Sequence, residues 1–147
     1  MQLALAEEAL RVVSIEPQAL VQGTHNGDEG GTNGWIDTQG YSRAEAEFLF
    51  GAVADTLTQV DMQVFENDAN TGNGTQIDGA VQESSGAAVD KQSYIIDVRM
   101  GGRANRKRYI RPRLIIGPNG TAYGAIVIRL YDAYNVPVSQ TVAPVLV

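Results

Sequence analysis

The sequence has no cysteine and a single histidine, His25, among its 147 residues. Without cysteine there is no disulfide, no thiolate metal site and no thiol nucleophile. With one histidine, a Ser-His-Asp triad or a multi-histidine metal centre is hard to assemble. No run of 18 apolar residues exists, so no membrane-spanning helix is expected. Met1–Val13 lacks the basic start and small-residue cleavage site of a secretory leader. Aromatic residues are sparse at 7% and proline at 5 residues, while 44% of the chain is hydrophobic. That is enough apolar material for one sizeable core and too much for a wholly disordered chain. One soluble domain over residues 1–147 is expected, with no enzymatic activity, no metal and no cofactor.

Charge of each sign is scarce in one half. Residues 1–90 hold fifteen acids and only two bases, Arg11 and Arg43, a balance of −13. Residues 91–147 hold nine bases and two acids, a balance of +7, which together make the net −6. Seven of the eleven bases fall between Arg99 and Arg113. A chain polarised in this way meets a charged partner or another copy of itself, or its halves neutralise each other within one fold.

Alternation dominates the rest. Arg43–Gly51 places Ala44, Ala46, Phe48 and Phe50 on one side and Arg43, Glu45 and Glu47 on the other. Thr58–Glu66 turns Val60, Met62 and Val64 inward, and Tyr94–Met100 and Tyr109–Ile116 repeat the pattern. In Ala125–Ala133, Ile126, Ile128 and Leu130 point in, whereas Val127, Arg129 and Tyr131 point out. Pro112 cannot donate to a ladder and predicts an edge or a bulge. Gly117-Pro118-Asn119-Gly120 predicts a tight turn, and a hairpin joining the strands on either side. Ile77–Gln82 reads as a short strand, followed by a polar stretch over Glu83–Lys91. Glu16–Tyr41, with six glycines, reads as loop or broken strand anchored by Trp35 and Ile36. Many short strands with glycine-rich turns predict an all-β fold: an antiparallel β-sandwich, jelly-roll-like. Residues 1–16 form an N-terminal arm of unsettled conformation. Residues 136–147, uncharged and with two prolines, form an extended C-terminal arm expected to lie against its own domain or a neighbour.

Candidate chemistry is thin. Asp68, Asn70 and Asp78 have a calcium-loop flavour, but counting from Asp68 puts Gly72, Asn73 and Gly79 where an EF-hand needs an oxygen ligand, Gly and Glu. His25 with Asp28 and Glu29 reads as a solvated loop. The glycine clusters match neither phosphate-binding nor dinucleotide fingerprints.

The segment Arg99–Arg113 (RMGGRANRKRYIRPR) is the one sharp feature. Guanidinium forks suit carboxylates or phosphates at an interface. Arg103, Arg106, Lys107, Arg108, Tyr109, Arg111 and Arg113 are the candidate partner-binding residues. Arg103, Arg106, Lys107 and Arg108 are expected in a loop, more exposed than Arg111 and Arg113. The latter pair is expected on one strand face, opposed by Arg129 across the hairpin, with Glu45, Glu47 or Asp61 between them. Internal pairing with the acidic half is the rival reading. Nucleic-acid binding sits badly with a pI near 4.6.

The chain from about residue 40 to 140 resembles the small decoration (cement) proteins of tailed bacteriophage heads. The resemblance rests on Thr58–Glu66 (TQVDMQVFE) running into the polar loop Asn67–Thr75, then Tyr94–Val98 (YIIDV). It continues through Asn105–Leu114 (NRKRYIRPRL) to a last hydrophobic strand ending in Pro137-Val138-Ser139. The basic element Asn105–Arg111 carries one arginine more than the family's Gly-Asn-Lys-Arg-Tyr-Val-Arg. The tail after Ser139 and residues 1–16 match no part of the pattern. The resemblance implies a jelly-roll-like homotrimer on the capsid exterior of the virion. Its partner would be a major capsid protein of HK97-type fold, with no nucleic acid and no membrane involved. The alternative is a carbohydrate-binding β-sandwich module of a tail or host-attachment protein, with Trp35 and the six tyrosines as sugar-stacking faces.

Overall fold

The computed structural model describes residues 10–28, 30–100 and 105–133. Nine strands and one helical turn follow in order: β1 (Leu10–Leu20), β2 (Gly23–Asn26), β3 (Ile36–Asp37), β4 (Tyr41–Val53), β5 (Val60–Asn67) and β6 (Thr75–Ser84). Then come α1 (Gly86–Val89), β7 (Ser93–Arg99), β8 (Tyr109–Ile116) and β9 (Ala122–Ala133). All pairings are antiparallel. Sheet I has the order β1-β9-β4-β7. Sheet II has the order β2-β8-β5-β6, with β3 also pairing β8. β2 and β3 act as one interrupted strand on the same edge of β8. The eight-strand alternation that results is that of a jelly roll.

Period-two burial makes the sandwich. Phe48, Ile126, Ile128 and Leu130 of sheet I meet Val60, Met62, Ile110, Leu114 and Ile116 of sheet II, all fully buried. Burying each such side chain is worth about 1.5–3 kcal/mol, and both sheets contribute inner faces to one continuous core.

Several expectations are corrected. β8 and β9 are joined by the Gly117–Gly120 turn but do not form a hairpin, since β8 lies in sheet II and β9 in sheet I. The turn is an arch between layers, tied by Gly117 N–H to the Gln59 carbonyl (2.9 Å) and by Thr56 Oγ1 to the Asn119 carbonyl (2.5 Å). Two apolar faces set opposite each other carry the same alternation as two set side by side, so periodicity does not separate the cases. Leu10–Glu16, assigned to the arm, is strand, and Val12 and Ile15 are core residues. The remainder of the N-terminal arm and all of the C-terminal arm lie outside the described residues. Glu83–Lys91 contains the end of β6 and the turn α1, whose Val89 is buried.

Pro112 sits within β8 where the outer neighbour breaks between β2 and β3. Its carbonyl accepts from Gly27 N–H at 2.9 Å. A strand residue directs its N and O to the same edge, so the missing donor faces the break. At β1, a bulge between Val13 and Ile15 turns Ser14 inward, and the Ser14 carbonyl accepts from Asp28 N–H at 3.0 Å.

Candidate functional site

One end of the sandwich gathers the features that the sequence singles out. β1 starts there beside β9 (Leu10 opposite Leu130), β9 ends there (Ala133 opposite Tyr41), and β7 ends opposite Arg43. β8 starts at the same end, with Tyr109 opposite both Asn67 and Asp37. Thr38 ties the two sheets there, donating through its N–H (3.0 Å) and its hydroxyl (2.5 Å) to the Arg108 carbonyl. A cleft of about 280 Å³ opens at this end, lined by Thr38, Gln39, Tyr41, Met100 and the bases 106–108.

The bases find carboxylates from the acidic half of their own chain. Arg108 makes a two-pronged contact with Asp37, through Nε (2.9 Å) and Nη2 (2.7 Å). That fork holds the Asp37 carboxyl below its ordinary range, against the opposing effect of burial. Glu66 accepts the Lys107 backbone N–H at 3.1 Å and lies 3.5 Å from Arg106 Nη1, an ion-pair rather than hydrogen-bond distance. Lys107 Nζ is 3.8 Å from Asp68. Arg106 and Lys107 are thus half-buried, and of the described loop bases only Arg108 is exposed. The expected contrast with the half-buried Arg111 and Arg113 holds for Arg108 and not for Arg106 and Lys107, which nearby carboxylates draw in. Arg103 lies outside the described residues.

Arg111 and Arg113 have a different environment from the one expected. They project from β8 on the outer face of sheet II, with their guanidinium carbons 4.4 Å from the Trp35 ring centre and 3.8 Å from the Phe65 ring centre. Arg113 Nε also donates to Asn26 at 2.8 Å. Desolvation lowers both guanidinium pKa values, and for Arg111 the nearby charge of Arg113 adds to it. Tyr109, half-buried, lies 5.2 Å from Arg108.

Trp35 itself is 1% exposed. Its Nε1–H donates to the Gly72 carbonyl at 3.1 Å, and Asn33 donates to the Asn70 carbonyl at 3.1 Å, so the loop before β3 closes onto the loop after β5. Gly74 makes this possible: its φ is +67°, and a Cβ there would lie 2.3 Å from Trp35 Cη2. The Asn67–Thr75 loop thereby serves as a lid on Trp35. Among the described residues no cluster of three metal-ligating side chains occurs. His25 donates from Nε2 to the Val21 carbonyl at 2.7 Å.

Arg129 is on sheet I, on the other side of the molecule from Arg111 and Arg113. It does meet two of the carboxylates expected to neutralise a strand arginine, Glu47 at 2.6 Å and Glu45 at 3.6 Å. Tyr131 donates to Glu45 at 2.8 Å, and Arg43 pairs with Asp97 at 2.5 Å while lying 4.6 Å from the Tyr131 ring centre. Burial, then the bond to Glu45, raises the Tyr131 pKa. Asp61, the third carboxylate expected, accepts instead from Gln59 at 2.6 Å.

On the same outer face of sheet I, Val13, Leu49, Ile95 and Tyr123 are 47, 37, 54 and 51% exposed. The sequence reading passed over this patch. Its signal is an apolar residue at the outward phase of an alternating strand, as at Leu49, Ile95 and Val127. A second cleft, of about 300 Å³, lies between the edge strands β6 and β7, among Ile77, Asp78, Ala80, Ile96, Asp97 and Arg106.

No family model matches the sequence, and no curated protein matches it. Among solved structures, one described as "CBM4 structure and function" aligns with 82% of this chain and 75% of that chain, at 12% identity and a TM-score of 0.37.

Proposed function

We propose that this chain is a non-enzymatic structural module of the capsid-decoration type, docking on the exterior of a tailed-phage head. Its partner would be a major capsid protein of HK97-type fold. The reading rests on the sequence resemblance, and one structural observation carries it further. The Asn105–Arg108 segment, the start of β1 and the end of β9 converge on one end of a jelly roll. A docking end of that kind offers Arg108 and Lys107 at its rim, near the first residue of β1 and the last of β9. Threefold association through the terminal arms belongs to the same proposal. Rim charges act mainly on the association rate, so binding should weaken with salt.

The alternative, a carbohydrate-binding module, calls for aromatic rings open to a sugar. Trp35 and Tyr41 are buried, and Tyr123 is the aromatic more than half exposed among the described residues. The test is re-addition of the purified chain to heads stripped of it. Saturable binding that falls as salt rises is expected. Absence of binding at low salt would overturn the proposal, and specific retention on a glycan array would move the assignment to the carbohydrate reading.

A further inference from the structure

We infer that the outer face of sheet I is a self-association surface on which two copies pack face to face about a two-fold axis running along the strands. This goes beyond the capsid reading and stands independently of it.

The inference comes from the rows that the strand register lays across the sheet. In one row stand Arg11 of β1, Arg129 of β9, Glu45 of β4 and Asp97 of β7, two cations followed by two anions. The next outward row is Val13, Val127, Glu47 and Ile95. Beyond it, Ala125 stands beside Leu49. A two-fold axis along the strands, midway between β9 and β4, lays β1 over the partner copy's β7 and β9 over its β4. Arg11 then faces Asp97, Arg129 faces Glu45, Val13 faces Ile95, Ala125 faces Leu49, and Val127 faces Glu47, whose carboxylate stays paired with Arg129 of its own copy. A two-fold axis across the strands would instead lay the charged end over the apolar end, which desolvates charges without a partner. Aligned packing keeps the strands of two stacked sheets within about 30° of each other, so rows coincide at β9 and β4 and slip by about 4 Å at the outer strands, within the reach of an arginine side chain.

Two further observations point to a second copy. Arg11 is exposed, stands beside Arg129, and has no carboxylate partner among the described residues. The apolar residues cluster, Val13 beside Val127 and Ala125 beside Leu49, with Glu47 between Val127 and Ile95, which single exposed hydrophobics on an ordinary surface do not. The face spans roughly 500 Å², from about 4.8 Å between strands and about 3.3 Å per residue. That is at the low end of specific interfaces, so association in the micromolar range is expected.

The test is particle mass in solution by light scattering, at about 100 μM, above the dissociation constant such an area supports. The full chain of 15.8 kDa should give an even multiple of that mass, a dimer or, with threefold association, a hexamer. Ile95→Asp should halve it and weaken association by at least about tenfold, with near-ultraviolet dichroism unchanged and the melting temperature equal to that of the unmodified chain diluted until it dissociates. Arg11→Glu and Asp97→Arg should each halve the mass alone. Mixed, they should restore it, because both cross-copy pairs then become Glu–Arg or Arg–Asp. A monomer or trimer for the unmodified chain would overturn the inference. So would an even mass that Ile95→Asp leaves intact, or a mixture that stays dissociated. A fall in melting temperature at constant mass would show that the chain's own C-terminal segment covers the face, and would overturn it equally.

Discussion

The two outer faces of the sandwich are built from the same alternation and finished in opposite ways. On sheet II, the outward arginines of β8 lie over Trp35 and Phe65, and two loops tied by hydrogen bonds cover the indole. On sheet I, the outward cations Arg43 and Arg129 meet carboxylates from the neighbouring strand, Arg11 meets none among the described residues, and the adjoining apolar side chains are left bare. An arginine therefore plays two roles here. Over a ring it covers apolar surface with its stem and plane. Beside a carboxylate it balances charge and leaves the apolar neighbours uncovered. Guanidinium groups alone do not make a surface into a binding site; what stands next to each of them decides.

That contrast can be broken most severely at Trp35. Trp35→Ala should cost about 3–5 kcal/mol, since it empties a fully enclosed site and strands both Arg111 and the Gly72 carbonyl. Chemical denaturation would read this directly, with a fall in melting temperature of about 10 °C. The sheet I counterpart is milder. Arg129→Ala should cost about 1–2 kcal/mol, because Glu45 and Glu47 lose their shared cation while the site keeps some access to water. A loss as large as that of Trp35→Ala would mean that sheet I is held by its ion pairs after all.

Smaller again is the fork between Arg108 and Asp37. The carboxyl pKa is lowered in the fold, so the stabilisation is present above the ordinary value of 3.8 and is lost as pH falls through the folded value. Asp37→Asn should cost under about 1 kcal/mol at pH 7, given how exposed the pair is. It should match the unmodified protein once the pH is low enough to protonate Asp37. Smallest of all, Tyr123→Ala on the bare face should change monomer stability by no more than about 0.5 kcal/mol. A larger loss in a verified monomer would show that Tyr123 is covered from within the chain.

Particular strands were legible from alternation alone. Val60, Met62 and Val64, and likewise Ala44, Ala46, Phe48 and Phe50, face the core as their spacing predicts. Pro112, expected at an edge or a bulge, lies instead in an inner strand without a bulge, opposite the break between β2 and β3. The basic segment was legible as a concentration of charge, and its pairing with the acidic half stood among the readings. Its partners were not, because Asp37, Glu66 and Asp68 reach it only through contacts more than thirty residues apart.

By itself, then, the sequence determined an all-β chain, its inward residues, its turns and its divided charge. These follow from local sterics and from the period-two geometry of a strand. Only the tertiary structure decided that β8 and β9 face each other across the core, that Trp35 lies under Arg111, and that Val13, Leu49 and Ile95 share one open face. Those outcomes depend on which strand neighbours which, and the pairing of distant strands is a property of the whole core that no local pattern encodes.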